Sequence, residues 1–311
     1  MFSELKKTRV GLVGGNGFIG SAILQAMLDQ GISPRVLCGP SESHPSLPPG
    51  IDFVICELAD VERLQTWVSG CEVVIDAAGP ASVRRSFQMA EEYVRVHVEG
   101  TAAILRVCRM AKVNRIVYLS SAEVYGRPRS NPVAETHPLQ ARSPYAAAKI
   151  GAEKMIEAHV ESFGLEAVIL RPFSIYGPHF HPDSLLARIV STAHTGCIRL
   201  QDLRPVRDYC YVGDLAQAVL QACCIRENKL QIINVGSGVG TSVAHFAELV
   251  SRTLGLNIPI VEDSGDSRPG QSEIFELIAD ITTAHEVLRW RPTTSLQEGL
   301  QRTLSAGACK V

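Results

Sequence analysis

Tyr145 and Lys149 stand four residues apart in Tyr145-Ala146-Ala147-Ala148-Lys149. On a helix that spacing puts a phenol and an ammonium on one face. A cation beside a phenol favours the phenolate, so the pair predicts a tyrosine with a lowered pKa. Such a group can act as general acid or base, a task to which an ordinary phenol of pKa ~10 is poorly suited. Upstream, the apolar run Val117-Tyr118-Leu119 ends in Ser120-Ser121-Ala122-Glu123. A serine hydroxyl at the end of a buried strand can hydrogen-bond a substrate oxygen, although the same residues also suit an ordinary turn.

The second chemical signal lies near the start of the chain, in Gly14-Gly15-Asn16-Gly17-Phe18-Ile19-Gly20. Gly14, Gly17 and Gly20 have the spacing of a tight turn that lets a backbone approach a pyrophosphate. The apolar run at 9–13 before it and the helical pattern at 21–30 after it place free N–H groups at a helix start, where an anion is favoured. Folds of this kind usually carry an acid ~20 residues further on to bind the adenosine ribose. That position reads Leu37-Cys38-Gly39, without a carboxylate. The loss removes a repulsion against a 2′-phosphate, but the nearest cation is Arg35, so NAD and NADP both stay open.

Positioning these groups falls to an alternating pattern. Buried strands are expected at 9–13, 35–37, 53–56, 73–77, 115–120 and 166–170. Helices are expected at 21–30, 61–69, 86–112 and 145–163. That rhythm predicts an α/β, Rossmann-like doubly wound parallel sheet covering 1–171. From 172 to 311 helices predominate, with short strands near 198, 232–235 and 258–261. This predicts a smaller mixed α/β C-terminal domain, with a return to the first domain near 209–235. The segment 41–50 reads as an exposed loop.

Composition narrows the class. The 311 residues are 46% hydrophobic and 20% charged, as in a globular protein. Thirty Lys and Arg against 32 Asp and Glu leave a net charge of -2, so no sequence-wide charge points to nucleic acid or a membrane surface. No apolar run reaches the ~18 residues of a membrane span, and no leader is read at the start. The nine cysteines show no C-x-x-C spacing, which fits reduced thiols and a cytoplasmic protein. His179 and His181 lack a third ligand at suitable spacing, so no metal site is expected.

Together the ordered motifs resemble the extended short-chain dehydrogenases/reductases, in their NAD(P)-dependent nucleotide-sugar epimerase/dehydratase branch. The motifs are GGNGFIG at 14–20, DAAGP at 76–80, GT at 100–101, YLSSAEVYG at 118–126, YAAAK at 145–149, RPFSIYGP at 171–178, RDYCYVGD at 207–214, NVGSG at 234–238, RPG at 268–270, AD at 279–280 and RWRPTTSLQEGL at 289–300. The resemblance implies that the loop of Gly14, Gly17, Phe18, Ile19 and Gly20 holds the coenzyme pyrophosphate. It places Cys38 at the ribose, Glu57 and Leu58 near the adenine, and Ala77, Ala78 and Gly79 along the coenzyme. It assigns Tyr145 as acid/base, Lys149 to the nicotinamide ribose and Ser121 to the reacting oxygen. Arg207 and Arg268 fall to a diphosphate, and Glu123 and Ser174 to the substrate. A homodimer through helices 86–112 and 145–163 is also implied.

The chain departs from the family pattern at several places. His97 stands for a frequent Asn, and Ser174 for another. Ala122-Glu123 replaces the Asp-Glu pair of 4,6-dehydratases, which argues against that reaction. The segment 196–207 lacks the usual glycine-rich turn. The expected activity is nucleotide-sugar epimerisation through a transient keto-sugar. The alternatives are an NADPH-dependent 4-keto-sugar-nucleotide reductase and a non-catalytic dinucleotide-binding protein.

Overall fold

Short apolar runs that are buried on both faces form the centre of the molecule. The computed structural model describes residues 2–40, 47–225, 229–263 and 272–306. Its strands are β1 (Val10–Val13), β2 (Arg35–Cys38), β3 (Phe53–Ile55), β4 (Val73–Asp76), β5 (Arg115–Leu119), β6 (Glu166–Pro172), β7 (Ser174–Tyr176), β8 (Ile198–Leu200), β9 (Val206–Tyr211), β10 (Leu230–Val235), β11 (Gly240–Ser242), β12 (Ile260–Glu262) and β13 (Glu276–Leu277). A seven-stranded sheet runs in the order β10-β6-β5-β4-β1-β2-β3, and every pairing in it is parallel. The strand order reverses beside β1, where a doubly wound sheet opens a crevice at its carboxyl ends.

The helices are α1 (Phe18–Asp29), α2 (Val61–Val68), α3 (Val83–Ser86), α4 (Ala90–Val94), α5 (Gly100–Met110), α6 (Pro144–Phe163), α7 (Leu185–Ala193), α8 (Val212–Ala222), α9 (Val243–Thr253), α10 (Thr282–Leu288) and α11 (Leu296–Ser305), with α1 and α8 on one face of the large sheet, α2, α5 and α6 on the other, and α7, α9 and α11 in a separate core. Side-chain alternation along β5 shows how the layers form. Val117 and Leu119 join the core under α1 and α8, while Ile116 and Tyr118 join the core under α2, α5 and α6. Helix α6 is set at both ends by local chemistry. The Ser143 hydroxyl caps Ala146 N–H at 3.1 Å, Pro144 stands at the start, and Gly164 ends it with φ of 71°.

The long helix expected over 86–112 runs continuously from Ala90 to Met110, but a π-helical turn interrupts its α-helical register. The chain forms α3, a turn and α4, then a π-helical turn over Arg95–Glu99, then α5. The wider turn changes the angular phase of the helix and brings His97 inside, to 2% exposure. Strands β7 and β9 also escaped the pattern, because each is short and set among Pro, Gly and charged residues. They pair with each other and with β11 and β13 in a second sheet. The later segments also return to the large sheet, since β10 forms its edge and α8 packs against α1. No helix among the described residues is long and apolar enough to cross a membrane.

Candidate functional site

The glycine loop closes on itself at the carboxyl end of β1. A Cβ on Gly20 would stand 1.9 Å from the Gly14 carbonyl oxygen, so only glycine allows the first turn of α1 to approach so closely. Gly17 is the N-cap of α1, and no side chain caps that helix start. Its polar backbone faces the loop that follows β4: a Cβ on Gly14 would meet Ala78 Cα at 2.9 Å. In that loop the Ala78 N–H donates to Asp76 Oδ1 at 3.1 Å. Burial pushes the Asp76 carboxyl up, opposed by this hydrogen bond and by the Lys149 charge. Gly79 takes φ of 108°, and any Cβ there would meet the His97 ring at 2.4 Å.

His97 joins this loop to the tyrosine. Its Nε2 lies 2.9 Å from the Pro80 carbonyl oxygen. A carbonyl only accepts, so Nε2 carries the proton. The ring packs edge-on to Tyr145 with centroids 5.6 Å apart, and Tyr93 packs edge-on to the same tyrosine at 6.0 Å. Burial, and then the Lys149 charge, hold the imidazole well below its ordinary pKa, so it is neutral near pH 7.

Tyr145 lies at the start of α6, 7% exposed, with the Ser121 hydroxyl near enough to its phenol to draw the phenol pKa down. Ser121 also caps the short turn Ala122–Tyr125, accepting the Glu123 N–H at 3.2 Å. The expected effect of Lys149 on the phenol is not found. Burial pushes Tyr145 up, the Ser121 hydroxyl draws it down, and the nearby charge of Glu123 adds to the rise. Lys149 is directed elsewhere, donating to the Leu119 carbonyl at 2.6 Å and the Tyr118 hydroxyl at 3.2 Å. Burial pulls this lysine down to about 8, with the carboxylates of Asp76 and Glu153 opposing.

The remaining expected residues are dispersed. Phe18 and Ile19 open α1 beside the glycines. Leu58 lies against α5, where a Cβ on Gly100 would touch it at 2.5 Å, and Glu57 is exposed. Cys38 is fully buried in the core beneath α1. Arg35 gives its Nε to Asp52 at 2.7 Å and its Nη1 to the Trp67 carbonyl at 3.1 Å. Ser174 begins β7 and Arg207 lies on β9, and the two strands pair. Arg207 Nη2 donates to Glu273 at 3.0 Å. Arg268 lies outside the described residues.

Sequence reasoning missed a buried polar group beneath the site. Glu153 on α6 accepts from Ser120 and pairs with Arg171 on β6. It also missed Asp208, which accepts from Ser237 N–H at 2.5 Å, Gly238 N–H at 2.8 Å and Ala279 N–H at 3.1 Å. The only signal for these was a charge inside an otherwise apolar or motif-rich run.

The description "NAD dependent epimerase/dehydratase family" matches residues 10–236. A putative UDP-glucose 4-epimerase of Methanocaldococcus jannaschii is 30% identical over 305 residues, spanning 94% of this chain and 96% of that protein. The UDP-glucose 4-epimerase of Thermotoga maritima, solved with UDP-glucose, superposes with a TM-score of 0.86 at 26% identity, covering 96% of this chain and 98% of that one. The Thermus thermophilus UDP-glucose 4-epimerase, solved with NAD, also gives 0.86, at 28% identity and 98% and 100% coverage. The matched span runs from the first strand through the tyrosine to the last strand of the large sheet, and the chain therefore belongs to the NAD-dependent epimerase/dehydratase family.

Proposed function

We propose that this protein is an NAD-dependent epimerase of nucleotide sugars, acting on a ring hydroxyl through a transient keto-sugar. The observation that carries the reading is the placement of Tyr145 and Lys149 on the first turns of α6, with Lys149 bound to the end of β5 just before Ser120 and Ser121, beside the glycine cradle and the Ala78 loop. The residues fit the coenzyme. Gly14, Gly17 and Gly20 and the uncapped start of α1 hold a pyrophosphate, with Ala77, Ala78 and Gly79 alongside and Lys149 at the nicotinamide ribose. When bound, NAD supplies the hydride acceptor and donor.

Tyr145 takes the proton of the sugar hydroxyl and later returns it, while Ser121 orients the phenol and the reacting oxygen. Neutral His97 and Tyr93 hold the aromatic ring edge-on, so the phenol swings little. One observation favours NAD over NADP: Arg35, the nearest cation, is engaged by Asp52 and by the Thr66 and Trp67 carbonyls. Arg207, Arg268, Ser174 and Glu123 serve the nucleotide-sugar side of the site.

The same reading includes a homodimer through α5 and α6. Met110 and Phe163, 48% and 53% exposed, lie on those helices, with Val94 nearby on α4 at 45%. The cysteines among the described residues are free thiols, which supports a reducing compartment. The deciding experiment gives purified protein UDP-glucose with no added coenzyme. Conversion to UDP-galactose supports the epimerase, whereas stoichiometric NADPH consumption on a 4-keto-sugar nucleotide would replace it with a reductase.

A further inference from the structure

Glu153 is 0% exposed and lies one helical turn beyond Lys149 on α6. Its Oε1 accepts the Ser120 hydroxyl at 2.5 Å and Arg171 Nε at 3.0 Å, and its Oε2 accepts Arg171 Nη2 at 2.7 Å. Arg171, 2% exposed, continues to the Tyr125 hydroxyl at 3.0 Å, and Tyr125 donates to Asn234 at 2.6 Å. A buried ion pair of this kind is weak evidence for stability, since well-packed apolar side chains often serve as well. Its placement suggests another use. Ser120 immediately precedes Ser121, whose hydroxyl lies near enough to the Tyr145 phenol to draw its pKa down.

We propose that Glu153 is a positioning residue of the reaction: its carboxylate, oriented by Arg171, ties the Ser120–Ser121 turn to α6 and so fixes the Ser121 hydroxyl on Tyr145. The role rests on the epimerase reading above. The same charge acts on Lys149. The groups facing that ammonium are Asp76 from β4, Glu153 from its own helix, the Tyr118 hydroxyl and Leu119 carbonyl from β5, and neutral His97 from the π turn. Burial favours the uncharged lysine, and Asp76 and Glu153 oppose it.

Two variants test the assignment. Ser120→Ala removes one hydrogen bond and leaves the ion pair intact. Its kcat should fall roughly tenfold with KM for UDP-glucose unchanged. Glu153→Met combined with Arg171→Met removes both charges without leaving one unpaired. Its kcat should fall similarly, and the alkaline limb of its pH profile should move down by about one unit as Lys149 loses a neighbouring carboxylate. Wild-type kcat in Ser120→Ala, or a wild-type pH profile in a folded double variant, overturns the proposal. A wild-type protein without turnover would sink the epimerase reading alone. The pH dependence of NAD binding, followed by fluorescence, then reads Lys149 without catalysis. A midpoint about one unit lower in the double variant supports the proposal, and an unchanged midpoint overturns it.

Discussion

The ammonium of Lys149 lies 2.6 Å from the carbonyl oxygen of Leu119, the last residue of β5. One side chain thus ties α6 to the strand whose next two residues are Ser120 and Ser121. Tyr145 rides on the same helix, so the phenol, the hydroxyl and the ammonium are set relative to one strand end. Two of the three groups ride on one rigid helix and the third sits two residues past a strand end, which suits a reaction sensitive to small displacements.

Replacing Tyr145 by Phe deletes the phenol oxygen and keeps the ring packed against His97 and Tyr93. The expected loss in kcat is about 10²- to 10⁴-fold, the usual worth of a positioned acid/base. Melting should stay within a few degrees of wild type, as measured by circular dichroism. Turnover at the wild-type rate would remove the tyrosine from the chemistry.

The glycine cradle makes a contrast between two alanines. Gly20→Ala drives a methyl to 1.9 Å from a backbone carbonyl, while Gly17→Ala meets nothing closer than 3.4 Å. The first should destabilise the fold and abolish NAD binding together. The second should leave the melting temperature of the coenzyme-free protein nearly unchanged and weaken NAD. Calorimetric titration beside thermal melts checks both, and equal behaviour of the two variants would contradict the close approach.

His97 predicts a pH dependence of stability. Its pKa is well below 6.5 in the native protein, whereas the unfolded chain titrates near 6.5. Below that pH the unfolded state binds a proton that the native state refuses. Stability therefore falls with acidification, by up to about 1.4 kcal/mol per pH unit from this one group. His97→Asn should remove that component. Urea unfolding of both proteins between pH 5 and 8 measures the difference, and a pH-independent difference would exclude a neutral buried imidazole.

The proposed dimer surface is tested by charge. Glutamate in place of Met110 or Phe163 puts a carboxylate on the exposed apolar face of α5 and α6. The wild-type protein should scatter light as a dimer and each variant as a monomer with an unchanged fold. A wild-type monomer would sink this surface as an interface.

Much of this architecture is legible in the chain because strands buried on both faces read as plain apolar runs. Helix α6 is legible for a different reason: Ser143, Pro144 and Gly164 mark its ends by local chemistry. Within the helix over 86–112 the π turn at Arg95–Glu99 was not legible, because apolar spacing does not reveal a wider turn that alters phase but not composition. At the site, Tyr145 and Ser121 were singled out by their spacing and place. The direction of Lys149 was not, since its partners Tyr118 and Leu119 come from a strand 30 residues away or more. Glu153 and Arg171 look like stray charges until β6 is laid beside β5, and Arg207 meets Glu273 only across 66 residues.

Asp208 gives the molecule an order of completion. This fully buried carboxylate gathers backbone donors from 237, 238 and 279, and Asn234 on the edge strand of the large sheet reaches the carbonyls of Val133 and Asp280. Closing such distant contacts is entropically slow. A ribosome that has released the glycine cradle, the serines and the tyrosine has still not delivered the residues that seal the strand beside them. A nascent chain stopped before 279 would hold its chemical groups beside an Asp208 carboxylate that still lacks its Ala279 donor. The final tenth of the polypeptide thus decides when the first half becomes an enzyme.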